Sequence, residues 1–518
     1  MKKFLAPMLI GATLATAVSA ADDSLKAEIA ALKVQMAELK EAQSKFNYDA
    51  LKKQISEVKA HSAGDNIKFS VDFRSAYDYV DYEVNSGTIM VPSGVGVSSP
   101  AEFKGGKTSN SVWTNKLILN MAAQPVDNLI FKGSLAAYST YGQNNLNTNS
   151  MFQDFDWYGT QKPNDSGIKL REAYFLYFGN MGDMPYTVSF GRRPSVNGFL
   201  VNLREDNDHP NSPVGHNINM EFDGASFKFD FDKLTGVSGL YFKLCIGRGF
   251  SDLKGSYSMG AAGFNPGYIK DDQNPNMDLA GLLAQLYDDG QYKVMANYFV
   301  AKNMMGMDMY MKEVGSTMAG VKSYTGASAF TDVGDMDGWS LSIQVNGIGD
   351  EINDYLDDTI FFASYAGMKT KPNGNAGGAP NQMNPALGLV QAPGMLGSTE
   401  SQTGYSYYVG LNLPGFMEAD RIGLEYNHGS KYWRSFTYGE DTMAGSKLAT
   451  RGDAYEIYYN IPLVSKNLTA QLRYTYMDYD YTGSDTFFGW TGTPNDVETT
   501  PGAVKSASNI RASLRYRY

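Results

Sequence analysis

Polar and apolar residues alternate with a period of two through most of the chain. In "NIKFSVDFRSAYDYV" (66–80), Ile67, Phe69, Val71, Phe73, Tyr77 and Tyr79 share one face, and Lys68, Ser70, Asp72, Arg74 and Asp78 share the other. Such alternation marks a β-strand whose two faces meet different surroundings. The segment is longer than the ~5–6 residues usual in soluble sheets. Similar segments recur near 111–123, 128–141, 168–179, 185–193, 217–231, 238–250, 279–288 and 291–301. They continue near 339–346, 359–366, 404–413, 421–428, 454–461, 468–479 and 507–518, which makes about 16 strands, within a range of 14–18.

The links between these segments alternate in length. "QPVD", "NMGDM", "DKLTGV", "DDG", "PGFMEAD" and "PLVSKN" are short, whereas 142–167, 251–278, 367–403 and 480–506 are long and rich in Gly, Asn, Asp, Ser and Pro. An even strand count with short turns at one end and long loops at the other predicts an all-β fold, a transmembrane antiparallel β-barrel. Closure is required because every backbone amide in hydrocarbon must be paired. About sixteen strands enclose more space than their own side chains fill, which predicts an aqueous lumen. The link 347–358 is the longest of the expected turns. Tyr77, Tyr79, Tyr138, Tyr141, Tyr405, Tyr407, Tyr474 and Tyr476 stand near strand ends, where membrane barrels collect aromatic rings.

The N-terminal region follows other periods. "MKKFLAPMLIGATLATAVSA" (1–20) has two lysines, an uncharged apolar run and small residues before Ala21, the pattern of a cleaved secretory signal peptide. Leu25, Ile29, Leu32, Met36, Leu39 and Phe46 then follow an a/d heptad spacing with Gln43 in the seam, and Leu51, Ile55 and Val58 resume it. These positions predict a periplasmic coiled-coil helix over 21–60 that joins copies through 22–58, as a dimer or a trimer. "HSAGDN" (61–66) is the hinge, and the barrel occupies 67–518.

Three features carry a family resemblance. The last segment, "NIRASLRYRY", ends on an aromatic residue preceded by apolar residues at alternate positions. "KLREAYFLYFGNMGDMPYTVSFGRRP" (169–194) is similar to a porin hairpin whose strands read "LREAY" and "GRxP". The link 194–217 has the ordinal position of the porin constriction loop. The chain thus resembles the Gram-negative outer-membrane porins, in particular those with an N-terminal periplasmic coiled coil, a group catalogued as a domain of unknown function. The resemblance implies a trimeric or otherwise oligomeric passive channel for small hydrophilic solutes or ions, embedded in outer-membrane lipid. It further implies that Leu514, Tyr516 and Tyr518 are read by the barrel-assembly machinery. It also implies that Arg204, Glu205, Asp206 and Asp208 narrow the lumen. The doubled arginine of "GRRP" leaves Arg192 and Arg193 competing for the pore-facing position, with Arg193 the candidate.

Composition narrows the function. Loss of Lys2 and Lys3 with the signal takes the formal charge from −11 to −13, so nucleic acid is a poor partner. Cys245 is the only cysteine, which excludes an intrachain disulfide. Strand parity turns Arg74, Lys132, Arg171, Lys228, Lys243, Lys293, Arg421, Arg473, Arg511 and Arg515 inward, against fewer acids: Asp72, Asp78, Asp230, Glu425 and Glu456. A weakly anion-favouring lumen follows, with a charge-balanced one as the alternative. "REDNDHPNSPVGHN" (204–217) could hold Ca²⁺ through its carboxylates, although its spacing matches no EF-hand and a solvated loop explains it as well. No cofactor or other metal is indicated. Four histidines and no GxSxG elbow speak against an enzyme. The rival to a channel is a structural protein that tethers the outer membrane to the cell wall through its coiled coil.

Overall fold

The computed structural model describes residues 67–94, 97–141, 167–250, 259–260, 263–264, 276–316, 322–349, 352–373, 396–484 and 492–518. The expected signal segment, coiled-coil helix and hinge (1–66) lie outside them. Sixteen strands form one closed barrel, each antiparallel to its sequence neighbours, and the first pairs with the last. They are β1 (Lys68–Val84), β2 (Gly106–Val126), β3 (Leu129–Thr140), β4 (Lys169–Met181), β5 (Met184–Arg193) and β6 (Phe222–Asp230). Next come β7 (Tyr241–Phe250), β8 (Met277–Asp288), β9 (Tyr292–Ser316), β10 (Lys322–Asn346) and β11 (Ile360–Pro372). The circle ends with β12 (Thr403–Pro414), β13 (Arg421–Gly429), β14 (Gly452–Val464), β15 (Leu468–Tyr479) and β16 (Val504–Arg517). The all-β, sixteen-strand expectation is met.

The boundaries differ from expectation in two informative places. β9 and β10 run well past 291–301 and 339–346, pairing from Tyr292↔Val345 out to Ser316↔Lys322. In the added part of β9, Met305, Met307, Met309 and Met311 alternate with Gly306, Asp308, Tyr310 and Lys312, and the ladder of backbone bonds continues into the Gly- and Ser-containing start of β10. β6 begins at Phe222 rather than 217, because the residues before it turn into the barrel. The long turn after β10 carries a one-turn helix, Asp354–Asp357, whose first amides are capped by Asn353 Oδ1 accepting from Leu356 N at 2.9 Å.

The two faces of the wall differ as the alternation requires. On β1, Ala76, Asp78 and Val80 are buried while Phe73 and Tyr79 are exposed. Trp113, Leu117, Leu472, Tyr474, Ile510 and Leu514 continue the exposed outer set. An apolar side chain left in water forgoes ~1.5–3 kcal/mol of burial, so a continuous outer band of them calls for an apolar surrounding. Aromatic rings stack along that band: Tyr77 on Trp113 on Tyr141, and His428 on Tyr407 at 5.0 Å between centroids. Tyr138 departs from the expected girdle. It points inward, is 3% exposed, and lies under the Lys116 ammonium at 5.6 Å. At the closing seam Phe73 faces Tyr516 and Ser75 faces Leu514, and Tyr518 exchanges two 2.9 Å backbone bonds with Val71.

Candidate functional site

Two segments leave the wall and fold inside the barrel. The first, 194–221, follows β5; Phe199, Leu200, Val201, Val214, His216 and Asn219 in it are at most 1% exposed. It doubles back through a short parallel pairing of Gly198–Phe199 with Asn211–Val214. A side chain at Gly198 would place its Cβ 2.0 Å from Pro213 O, so this close approach needs glycine. Leu200 holds a φ of 80°, a left-handed conformation that costs roughly 1–3 kcal/mol for such a residue and persists where its surroundings impose it. Here they do, since Leu200 packs with Phe199, Val201 and Val214 against Leu283, Met295 and Phe362 of the inner wall.

The second segment, 430–451, follows β13 and was expected only as a loop. Trp433, Phe436, Glu440, Lys447, Leu448 and Arg451 in it are all at most 1–2% exposed. The two segments bond to each other: Phe436 N donates to Asn217 O at 2.9 Å, and Asn219 N donates to Phe436 O at 2.6 Å. Trp433, Phe436 and Tyr438 join Ile218, Met220, Phe299, Met336 and Ala366 in an apolar cluster inside the barrel. His216 sits between the rings of Tyr408 and Trp433 and exchanges hydrogen bonds with Ser364 Oγ (2.7 Å) and Ser406 Oγ (2.9 Å). Burial pushes its pKa down to about 3, which keeps the imidazole neutral.

Charge fixes the segments to the wall. The Asp441 carboxylate accepts from Arg74 at 2.6 and 3.0 Å, from Lys116 at 2.8 Å and from Arg511 at 2.9 Å. Its carbonyl accepts from Arg511 and Arg473. Burial alone would raise its pKa, but Arg74, Lys116 and Arg511 outweigh it and hold the carboxyl well below the usual range. Arg204 of the first segment pairs with Glu440 of the second and with its neighbour Glu205 at 3.1 Å. Glu205 is likewise held down to about 2, with Arg204 and Arg473 outweighing its burial. Lys447 lies between Glu425 and Glu456. Burial of Asp441, Glu205, Glu440, Glu425 and Glu456 is tolerated because each faces a cation, while Arg451 donates to the carbonyls of Trp433, Thr482 and Gly492.

The expected inward cations therefore fall into three groups. Arg74, Arg473 and Arg511 converge on Asp441, while Arg515 holds Asp72 at 2.5 and 2.8 Å and donates to Glu205 O at 2.9 Å. Arg171 pairs with Glu221 at 2.8 Å. Lys228, Lys293 and Arg421 sit near the short-turn end, with Asp230 at 2.5 Å, Asp288 at 3.1 Å and Asn412 Oδ1 at 2.5 Å respectively. Lys132, Arg193 and Lys243 make no ion pair among the described residues, although the Glu172 carboxylate acts electrostatically on Lys132; Lys243 donates to Ser212 Oγ at 3.0 Å. Register answers the "GRRP" question: Arg193 shares the inner face with Gly191 and Ser189, and Arg192 faces outward opposite Asp223.

Of the four expected constriction residues, Arg204 and Glu205 lie deep inside, and Asp206 and Asp208 lie at the rim. Asp206 faces Arg517 at 3.4 Å and Asp208 faces Lys466 at 2.6 Å, so both carboxylates already hold cations. Among the described residues no group of three or more His, Cys, Asp or Glu could hold a metal. Leu514, Tyr516 and Tyr518 point outward, 52, 45 and 78% exposed. Sequence reading missed Lys116, although its parity on β2 was legible, and it missed Glu221, Glu440, Asp441 and Lys447, for which no periodic signal exists.

A family model described as "Protein of unknown function (DUF3373)" matches residues 107–518, and the chain belongs to that family. No curated protein matches it. Among solved structures it is similar to the trimer form of OmpT, an outer membrane protein of Vibrio cholerae. That match has 12% identity and a TM-score of 0.38, and covers 88% of this chain and 99% of that one. It is also similar to the outer membrane channel DcaP of Acinetobacter baumannii (10% identity, TM-score 0.39, covering 88% and 97%). OprB of Pseudomonas putida gives 11% identity and a TM-score of 0.42, covering 89% and 96%. Scores of this size carry no argument, and the barrel rests on its own strand pairing.

Proposed function

We propose that this member of the DUF3373 family is an outer-membrane channel that passes small hydrophilic solutes along the inner face of β3–β7. The observation that carries the reading is the two-sided wall: a band of exposed apolar and aromatic residues outside, and charged or polar side chains inside a sixteen-strand closure. The two inserted segments narrow the lumen chiefly on the side of β8–β16, β1 and β2, and the first of them is also bonded to Arg171 of β4 and Lys243 of β7. The passage then runs past Lys132, Lys228, Lys243 and Arg193. Most inner cations are already matched by Asp441, Glu221, Asp72, Asp230 or Asp288, so a weak anion preference comes from Lys132, Arg193 and Lys243, which make no ion pair. In the same reading 1–20 is a removed signal, 22–58 joins three copies, and Leu514, Tyr516 and Tyr518 are the assembly signal.

Purified protein in planar bilayers tests this. Discrete conductance steps and a reversal potential on the anion side of a salt gradient are expected. Absence of steps, or a clear cation preference, would overturn the channel or its selectivity respectively. Edman sequencing of the exported protein should begin at Ala21, and cross-linking should give trimers that are lost on deletion of 22–58.

A further inference from the structure

Behind the inserted 194–221 segment lies a crevice of about 90 Å³. It is bounded by Ser212 and Ile218 of that segment and by Phe222, Leu283 and Phe299 of the wall. Its floor is low for a definite reason. Gly191 stands opposite Gly224, and Gly224 opposite Gly247, so three neighbouring strands present no side chain there. Arg193 lines the crevice and makes no hydrogen bond or ion pair among the described residues. Lys243, bonded to Ser212 at the crevice edge, has Arg193 and Lys228 as charged neighbours, both of which repel it.

Two cations beside an apolar hollow favour an anion, and an apolar hollow favours a ligand with a hydrocarbon body. The planar fork of arginine matches a carboxylate through two parallel bonds. We infer that the crevice is a binding subsite for organic monocarboxylates with a compact apolar body, such as an aromatic acid. The carboxylate lies on Arg193 with Lys243 near it, and the body lies over Gly224 and Gly247 against Phe222 and Phe299. The inference rests on the channel reading only in that solutes reach the crevice from the lumen.

Isothermal titration of the detergent-solubilised full chain tests binding without requiring conduction. Benzoate should bind, and acetate and benzyl alcohol should bind at least tenfold more weakly. Arg193→Gln should raise the benzoate Kd about tenfold, the equivalent of ~1.4 kcal/mol, in protein that keeps the heat-modifiable gel migration of a closed barrel. Arg193→Lys, which keeps the charge and loses the fork, should fall between; it decides the matter if the glutamine variant does not fold. Acetate binding as tightly as benzoate, or an unchanged Kd in the variant that folds, would overturn the subsite. Benzoate binding without conductance overturns the channel alone, and conductance without benzoate binding overturns the subsite alone.

Discussion

The two sides of the barrel interior solve the problem of inner charge differently. On the side of β14–β16, β1 and β2, Arg473, Arg511, Arg74 and Lys116 are 1–9% exposed and meet the carboxylates of two inserted segments. On the side of β3–β7, Arg171 still meets Glu221, but Lys132 is exposed, Lys243 and Arg193 are half-buried, and none of these three makes an ion pair. A buried cation must be paired, because an uncompensated one costs several kcal/mol, whereas a hydrated one need not be. The comparison teaches that identical residue types on one inner face serve two ends. One set fastens the inserted segments through carboxylates, and the other stands on the inner face without an ion pair.

The largest effect is expected at Asp441. Asp441→Asn leaves Arg74, Lys116 and Arg511 facing a neutral amide, and breaking a buried pair in this way costs ~3–5 kcal/mol. Release of 430–451 should follow, read as tryptic cleavage after Lys447 or Arg451, which are at most 2% exposed and should resist in the unaltered protein. Arg204→Gln removes the pairing with Glu440 that ties the two segments together. It should produce the same cleavage more slowly, in keeping with a loss of ~1.5–3 kcal/mol for a charged hydrogen bond.

Acid should act in the same direction. Glu205 is held at about 2 against an ordinary 4.5, so its contribution is present above 4.5 and lost as pH falls toward 2. His216, held at about 3 against 6.5, is neutral when inserted and would be charged in water below 6.5, so insertion is penalised progressively between those values. Cleavage of 430–451 by an acid-active protease should therefore rise as pH falls below about 6.5, and a flat profile down to pH 3 would contradict the sign. Lys243→Gln, on the other side, should leave cleavage unchanged and only lower the anion preference seen in reversal potentials. The smallest effect belongs to the outer surface. The exposed Arg248–Asp278 pair, at 2.6 Å, contributes ~0.2–1 kcal/mol at most, and Arg248→Ala should alter neither readout.

The strands were legible because lipid and lumen impose opposite demands on alternate residues; Leu472 and Arg473 on β15 differ for that reason alone. Parity likewise turned Arg74, Arg171, Arg511 and Arg515 inward in advance. What alternation cannot convey is which loop comes back to meet them. "SKYWRSFTYGEDTMAGSKLATR" (430–451) has no period, and Asp441 acquires its role only when four strands distant in sequence bring their cations to it. The extension of β9 was legible, since Met305, Met307, Met309 and Met311 alternate with Gly306, Asp308, Tyr310 and Lys312, but a methionine-rich run was not read as a strand.

The most direct test is the single-channel conductance of the unaltered protein beside a variant in which 432–448 is replaced by a short Gly-Ser linker. A narrowed channel should show discrete steps in the first and larger steps in the second. No current from either protein, or equal steps from both, would contradict a lumen confined by the inserted segments.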